Sequence, residues 1–262
     1  TLERYATKRK KQSPQATATP TPVRESVVIE HKNKEVLGSS TSLSNLPALS
    51  LRMMGSLQVN TADGQLLSWR TRKTKELFAF LWHHQGKPVY KFSILEELWG
   101  EVPAQQGQKL LHTSLYYMRT LFKTLGYEDV VKYGDERYWI DPAIFQVDLA
   151  QLLELMAQQV TFQDVQQAIA LYSGDYLETE HYAWAASYRI ELRTVMTTYL
   201  SQSLTQLASA DRIPVFYKLI ELEPYGESHY EQLIALLQET NDSAGAARIA
   251  EWKQRVWAEE GQ

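Results

Sequence analysis

Residues 108–126, QKLLHTSLYYMRTLFKTLG, have a periodic pattern of apolar and polar side chains. On a helical wheel of ~100° per residue, four apolar side chains fall within about 40° of Leu111: Leu115, Met118, Phe122 and Leu125. This spacing predicts an amphipathic helix over roughly 108–125, which ends at Gly126. One face of the helix is therefore expected in the core, and the other is free for a partner.

The opposite arc of this helix is polar and carries no acidic residue. It contains Lys109, His112, Thr113, Tyr116, Arg119, Thr120 and Lys123. Ordinary protein surfaces mix both signs of charge, whereas donors of this kind bind phosphates and base edges in the major groove of DNA. We therefore predict DNA contact by this arc: His112, Thr113, Tyr116 and Arg119 read base edges, while Lys109 and Lys123, like Lys73 and Lys132 elsewhere, hold phosphates. Because Arg119 lies at the edge of the arc, a phosphate contact or a local pair is its alternative. A simple solvated helix face is the alternative.

Short strands and two further helices surround the predicted DNA-contacting helix. The pattern predicts a strand at 51–60, a turn at 62–64, a strand at 65–69, helices at 73–86 and 92–100, and a hairpin at 130–141. Ser93 followed by Glu96 predicts a capping box at the start of the second helix. The hairpin turns around Gly134-Asp135-Glu136. The order is strands, three helices and a hairpin.

Further basic side chains are candidates for phosphate contacts. Four stand at the start of the first helix, where free backbone N–H groups also attract anions, and two flank the hairpin turn: Arg70, Arg72, Lys73 and Lys75, then Lys132 and Arg137. Lys75 and Glu76 could instead form a solvated pair. Asp135 and Glu136 at the hairpin tip argue against deep insertion into a groove.

The pattern of residues 143–262 predicts helices throughout, and one of them is a long helix at 184–208. Breaks between the helices divide them into pairs, as in a small helical solenoid. The net charge is +4 over residues 1–50, +2 over 51–142 and −10 over 143–262. Direct DNA contact by this acidic region is unfavourable. We expect it to bind proteins, either a second copy of this chain or RNA polymerase.

Composition and motifs exclude several classes of protein. The chain has no Cys, its six His residues form no HExxH motif, and it contains no nucleotide-binding loop motif and no GxSxG. His83-His84 is predicted to be an exposed cap at a helix end. No apolar run is long enough to cross a membrane, and no secretory signal is visible. We therefore expect a cytoplasmic protein that is not an enzyme and has no catalytic residue, cofactor or metal.

The N-terminal part has a different composition. Residues 1–11 have helical composition with a basic run, Lys8 to Lys11, and residues 12–50 have the Pro, Thr, Ser and Ala content of a linker of low order. The chain begins with Thr1. We expect an upstream domain whose last helix ends in residues 1–11, and the alternative is a basic tail that binds nucleic acid.

The order of motifs resembles a known family. The segments that carry the resemblance are KTKELFAFLWHHQGKPV (73–89), ILEELWGE (94–101), LLHTSLYYMRTLFKTLG (110–126), VVKYGDERYWI (130–140), AIALYSGDYLETEHYAWAASYRIEL (168–192) and LIELEPYGESHYEQLIALL (219–237). Residues 51–142 resemble an OmpR-type winged helix and residues 143–262 a bacterial transcriptional activator domain, an arrangement similar to SARP-type regulators. By this resemblance, 108–125 is the recognition helix and 130–141 the wing.

The resemblance implies a mainly α fold with small β sheets: a winged helix-turn-helix domain followed by an all-α tetratricopeptide-like helical repeat domain. Residues 1–11 resemble the end of a receiver domain, which implies the effector half of a two-component response regulator. The expected function is that of a DNA-binding transcriptional activator that binds double-stranded promoter DNA as a homodimer. The alternative is a protein-interaction scaffold whose winged helix does not bind DNA.

Overall fold

A computed structural model describes residues 48–158 and 160–260. The predictions for residues 1–11, and for 12–50 up to residue 47, lie outside this part of the chain. The first described strand begins at Leu49, which is fully buried. This strand begins two residues before residue 51, where the winged helix was expected to begin.

The first half of the described chain contains the elements of a winged helix-turn-helix. They are β1 (Leu49–Arg52), β2 (Gln58–Asn60), α1 (Arg72–His83), β3 (Val89–Tyr90), α2 (Lys91–Trp99), α3 (Ala104–Thr124), β4 (Val131–Gly134) and β5 (Arg137–Ile140). Strands β3, β5 and β4 form an antiparallel sheet whose β4–β5 hairpin is the wing. Asp135 and Glu136 both have positive φ and form the two-residue turn of this hairpin.

The second half is helical apart from one strand. Its elements are β6 (Phe145–Val147), α4 (Asp148–Met156), α5 (Phe162–Leu171), α6 (Ala186–Ser203), α7 (Ile213–Leu222), α8 (Glu227–Glu239) and α9 (Ser243–Glu260). Short 3-10 turns precede β6, α6 and α7. Helices α7, α8 and α9 pack against each other in chain order, as in a helical repeat. The fold is mainly α with small β sheets, as predicted.

An aromatic core holds the winged helix around α1 and α3. Phe78 of α1 lies 5.8 Å from Phe122 of α3 and 5.8 Å from Phe145 of β6, measured between ring centroids. Trp69 lies 4.8 Å from Phe78. Because Phe145 follows the wing, this core already joins the two halves of the chain.

Several predicted element boundaries are wrong. The strand predicted at 51–60 is two strands, because the chain turns at Gly55 with a φ of +85°. The segment predicted as a strand at 65–69 contributes one bridge, Asn60 to Leu66. Helix α3 begins at Ala104, four residues earlier than predicted, and the long helix predicted at 184–208 spans 186–203.

The predicted capping box at Ser93 is also wrong. Helix α2 begins at Lys91, its N-cap is Tyr90, and no side chain caps it. A capping box occurs instead at the start of α5, where the Thr161 hydroxyl accepts from the Asp164 backbone N–H and the Asp164 carboxylate accepts from that of Thr161. Thr71 caps α1 by accepting from the Thr74 backbone N–H, without the reciprocal bond of a capping box.

The turn between β1 and β2 is bonded to the helical half through backbone groups. Asp148, at the start of α4, accepts hydrogen bonds of 2.9–3.0 Å from the N–H groups of Met53 and Met54. The Met53 carbonyl accepts from the Leu177 N–H at 2.8 Å, and β1 pairs in parallel with β6. The described residues accordingly fall within one compact unit.

The loop at 173–178, SGDYLE, supplies the other side of this junction. The Gly55 N–H donates to the Asp175 carbonyl at 2.8 Å, and the Ser173 hydroxyl donates to the Met54 carbonyl at 2.9 Å. Buried Asp175 pairs with Arg193 of α6 and accepts from the Tyr172 hydroxyl at 2.7 Å. A Cβ at Gly174 would lie 3.0 Å from the Gly55 Cα, so glycine permits the close approach.

An aromatic cluster extends the junction to the end of α1. His83 contacts the rings of Tyr176, Trp184 and Tyr188 at centroid distances of 5.1–5.9 Å, and His84 packs on Phe80 at 4.9 Å. His84 is the C-cap of α1, as predicted, but the prediction that this pair is exposed is wrong, because the helical half covers this end of α1.

Candidate nucleic-acid interface

The outward face of α3 is the candidate interface. Leu111, Leu115, Met118 and Phe122 are buried, which fixes the opposite face toward solvent. All seven side chains of the predicted acid-free arc are exposed: Lys109, His112, Thr113, Tyr116, Arg119, Thr120 and Lys123. Tyr116 has 64% of its surface exposed, although it is a large aromatic residue. The helix therefore presents donors and one aromatic ring, and it presents no carboxylate on this arc.

Two side chains of this arc have local partners. The Thr113 hydroxyl donates to the Lys109 carbonyl one turn earlier, at 2.8 Å. The Arg119 guanidinium donates to the Val131 carbonyl of β4 at 3.3 Å, which is a local pair of the kind predicted as the alternative to DNA contact. Arg119 thereby joins α3 to the β4–β5 hairpin. Lys109 and Lys123 have no carboxylate within ion-pair distance among the residues that the structure describes.

The basic residues at the start of α1 differ in their surroundings. Arg70 lies over the Tyr117 ring, with its guanidinium carbon 4.5 Å from the ring centroid. Lys73 pairs with Glu76 at 2.8 Å, and Arg72 is exposed. Lys75 pairs with Glu180 of the helical half at 2.6 Å, so the predicted solvated pair of Lys75 with Glu76 is wrong. Of the basic residues at this helix start, Arg70 and Arg72 are therefore the two that form no ion pair with any residue that the structure describes.

The tip of the wing is hydrogen-bonded to the residues at the start of α2. Glu136 accepts from Lys91 Nζ at 3.1 Å and from the Tyr90 hydroxyl at 3.2 Å, and these hydrogen bonds lower the pKa of its carboxyl group. Lys132 lies 3.8 Å from Asp141, whereas Arg137 is exposed without a described ion pair. The tip is therefore held against the start of α2.

Sequence patterns did not indicate three residues of this surface. Tyr117 falls outside the acid-free arc, yet it touches Arg70, and Tyr90 and Lys91 come from a strand and helix start that no motif marked. Their contacts join segments distant in the chain, and helical periodicity gives no signal for such contacts. The exposed face of α3 could be predicted because it follows from the buried stripe of the same helix.

A metal site in the described residues would require a group of ligands, and a membrane span would require a long apolar helix. In that part of the chain, no group of three or more His, Asp or Glu side chains is placed to hold a metal ion. None of the described helices is both long and apolar enough to cross a bilayer. An open depression of about 340 Å³ near the start of α1 is lined by Leu66, Leu67, Ser68, Trp69, Thr71, Arg72 and Lys75, without a carboxylate or imidazole.

Comparisons with known proteins bear on the fold. A scan against models of known protein families gave no match, and a search of curated protein sequences gave none. Among solved structures, the chain is similar to Mycobacterium tuberculosis EmbR, solved in complex with a low-affinity phosphopeptide, with a TM-score of 0.57 and 17% identity. The match covers 80% of this chain and 65% of the EmbR chain. At this identity the likeness concerns the fold.

Proposed function

We propose that this chain is a sequence-specific, DNA-binding transcriptional regulator of the SARP type. The observation that carries the proposal is the exposed face of α3, which presents donors and Tyr116 without any carboxylate, on a helix held outward by a winged helix-turn-helix fold. A helix of this kind fits the major groove, where side-chain donors distinguish base pairs. The fold shared with EmbR supports the same proposal.

Each residue of the surface has a proposed role. His112, Thr113 and Tyr116 contact base edges, and the methyl group of thymine suits an aromatic ring. Lys109, Lys123, Arg70, Arg72 and Arg137 hold phosphates, because none of them has a described ion pair to neutralise it. Thr120 lies on the same face. Lys73 and Lys132 have weaker roles because of Glu76 and Asp141, and Arg119 supports the wing.

The acidic helical half is proposed to bind proteins. Its charge disfavours DNA, and its stacked helices offer surfaces for RNA polymerase or for a second copy of the chain on the promoter. We propose that the protein acts as a cytoplasmic activator, and that an upstream receiver domain makes it the effector of a phosphorelay. The division into a DNA-binding domain at 51–142 and an activator domain at 143–262 is part of this proposal.

Fluorescence anisotropy of a labelled duplex tests DNA binding. With four to six phosphates neutralised, log K is expected to fall with log salt at a slope of about −4 to −5, so the titration starts near 50 mM salt. Lys109→Glu with Lys123→Glu is expected to weaken binding at least tenfold. Both residues are exposed, so the double variant should keep the helical circular dichroism of the parent chain.

A matched control reverses the same number of charges elsewhere. Arg248→Glu with Arg255→Glu changes two exposed cations on α9, far along the chain from the winged helix, and it should leave DNA affinity within about twofold. Equal losses in both double variants would mean that net charge alone governs binding. No binding by the parent chain near 50 mM salt, also after forced dimerisation, would favour the scaffold alternative.

A further inference from the structure

Arg70 and Tyr117 form a contact that joins the start of α1 to the recognition helix. The guanidinium carbon of Arg70 lies 4.5 Å from the centroid of the Tyr117 ring, which is the geometry of a cation–π contact. Arg70 is exposed, and Tyr117 is partly buried on α3. A partly buried ring is held by its neighbours, so it offers the flexible arginine a fixed surface.

The charge of Arg70 stays available in this arrangement. Among the described residues, no carboxylate lies within ion-pair distance of Arg70, whereas its neighbour Lys73 pairs with Glu76 at 2.8 Å. A ring under the guanidinium occupies one planar face and leaves the N–H groups at its edge free. Those edge groups match two phosphate oxygens, which a lysine ammonium cannot do in the same bidentate way.

The contact between Arg70 and Tyr117 lies beside the acid-free arc of α3. The Tyr117 ring lies 5.8 Å from the ring of Tyr116, the exposed aromatic side chain of the acid-free arc. Arg70 is therefore at the margin of that arc. In B-DNA the phosphates flank a major groove about 12 Å wide, so a group at the margin of a helix in the groove meets the backbone and not the base edges.

We propose that Tyr117 is a positioning residue that holds the Arg70 guanidinium as a clamp for a backbone phosphate beside the recognition helix. This inference rests on the proposed function, since it assumes that α3 lies in the groove. Tyr117 itself touches no phosphate. It lowers the entropic cost of fixing the arginine side chain, so that more of the phosphate attraction is retained as affinity.

A double-mutant cycle on the full chain tests the proposal. The probe is a labelled mixed-sequence duplex of about 30 base pairs, titrated between about 50 and 200 mM salt. Arg70→Gln should weaken binding about fivefold and reduce the salt slope by about one. Tyr117→Leu should weaken binding about threefold in the parent chain and have no further effect beside Arg70→Gln. Tyr117→Phe keeps the ring face and should bind within about twofold of the parent.

Three outcomes would overturn the proposal, and they differ from one another. An equal loss from Tyr117→Leu with and without Arg70 would mean that Tyr117 acts on α3 itself or on DNA directly. An unchanged salt slope in Arg70→Gln would mean that Arg70 meets no phosphate, while the proposed function stands. A parent chain that binds no duplex would remove the proposed function and this inference together. Thermal melting of each variant verifies that it is folded.

Discussion

Protonation of His83 would place a positive charge among aromatic rings. The side chain packs against Trp184 and Tyr188 and lies within 3.3 Å of the Tyr176 hydroxyl. Burial, with a smaller contribution from His84, lowers the pKa of His83 from 6.5 to about 4. The folded protein therefore holds this imidazole neutral at a pH where the unfolded chain already binds a proton.

The stability of the folded protein therefore depends on the protonation of His83. Because the folded-state pKa of His83 is depressed, the stability that the neutral imidazole contributes to the fold is fully present above pH 6.5. This stability is lost as the pH falls toward about 4. We expect the melting temperature to decrease over this window, and the decrease to be smaller in His83→Gln, which keeps a neutral polar group. His181→Gln, at an exposed position, is the control and should keep the parent slope. Parallel slopes for parent and His83→Gln would contradict the assignment.

For single residues, the sequence predicts which side chains of one helix are buried, but it does not predict contacts between distant segments. The apolar stripe of α3 placed Leu111, Met118 and Phe122 in the core and the seven polar side chains outside it, because both faces follow from a single period. The surroundings of His83 and the contact of Arg70 with Tyr117 depend on segments far away in the chain. No local pattern contains that information.

The N-terminal caps of α5 and α2 are expected to differ in their effect on stability. Thr161 and Asp164 satisfy each other's backbone N–H groups at the start of α5, while Ser93 lies inside α2 without a capping bond. Thr161→Ala should therefore lower the free energy of unfolding by about 1 kcal/mol, and Ser93→Ala should leave it nearly unchanged. Urea denaturation of the two variants measures the difference. Equal losses would show that the cap geometry does not control the stability of α5.

The elements themselves were largely predictable, with informative exceptions. Three helices followed by a hairpin were predicted in the right order, since amphipathic periods and Gly stops are local signals. The strand predicted at 51–60 is interrupted because the backbone of Met53 and Gly55 bonds to residues around 148 and 175 instead of continuing a ladder. Because the partners of this turn are distant in the chain, Gly55 is the one local signal by which the sequence indicates it.

At the scale of the whole molecule, the winged helix and the helical half share one hydrogen-bonded junction. The β1–β2 turn gives its N–H groups to Asp148 and to the SGDYLE loop, and its carbonyls accept from that same loop. The ion pair of Lys75 with Glu180 lies across the same junction. Main-chain bonds of this kind require a fixed geometry, so the two halves are expected to unfold in a single transition.

Asp148→Asn tests whether the two halves depend on this junction. The carboxylate accepts from the N–H groups of Met53, Met54 and Leu149, and an amide has one acceptor oxygen, so at least one buried donor loses its partner. We expect a loss of about 2 kcal/mol in the free energy of unfolding, against less than about 1 kcal/mol for Asp141→Asn.

Asp141 makes this control a close match, because it accepts from one backbone N–H, that of Ala143, at a partly exposed site seven residues earlier. Its other partner, Lys132, is 3.8 Å away. Tryptophan fluorescence and circular dichroism, followed together in urea, should report coincident transitions, because Trp residues lie in both halves. Separate transitions in the parent chain, or equal losses in the two Asn variants, would mean that the halves are stable independently. Helix α3 would then not be held in a fixed orientation to the helical half.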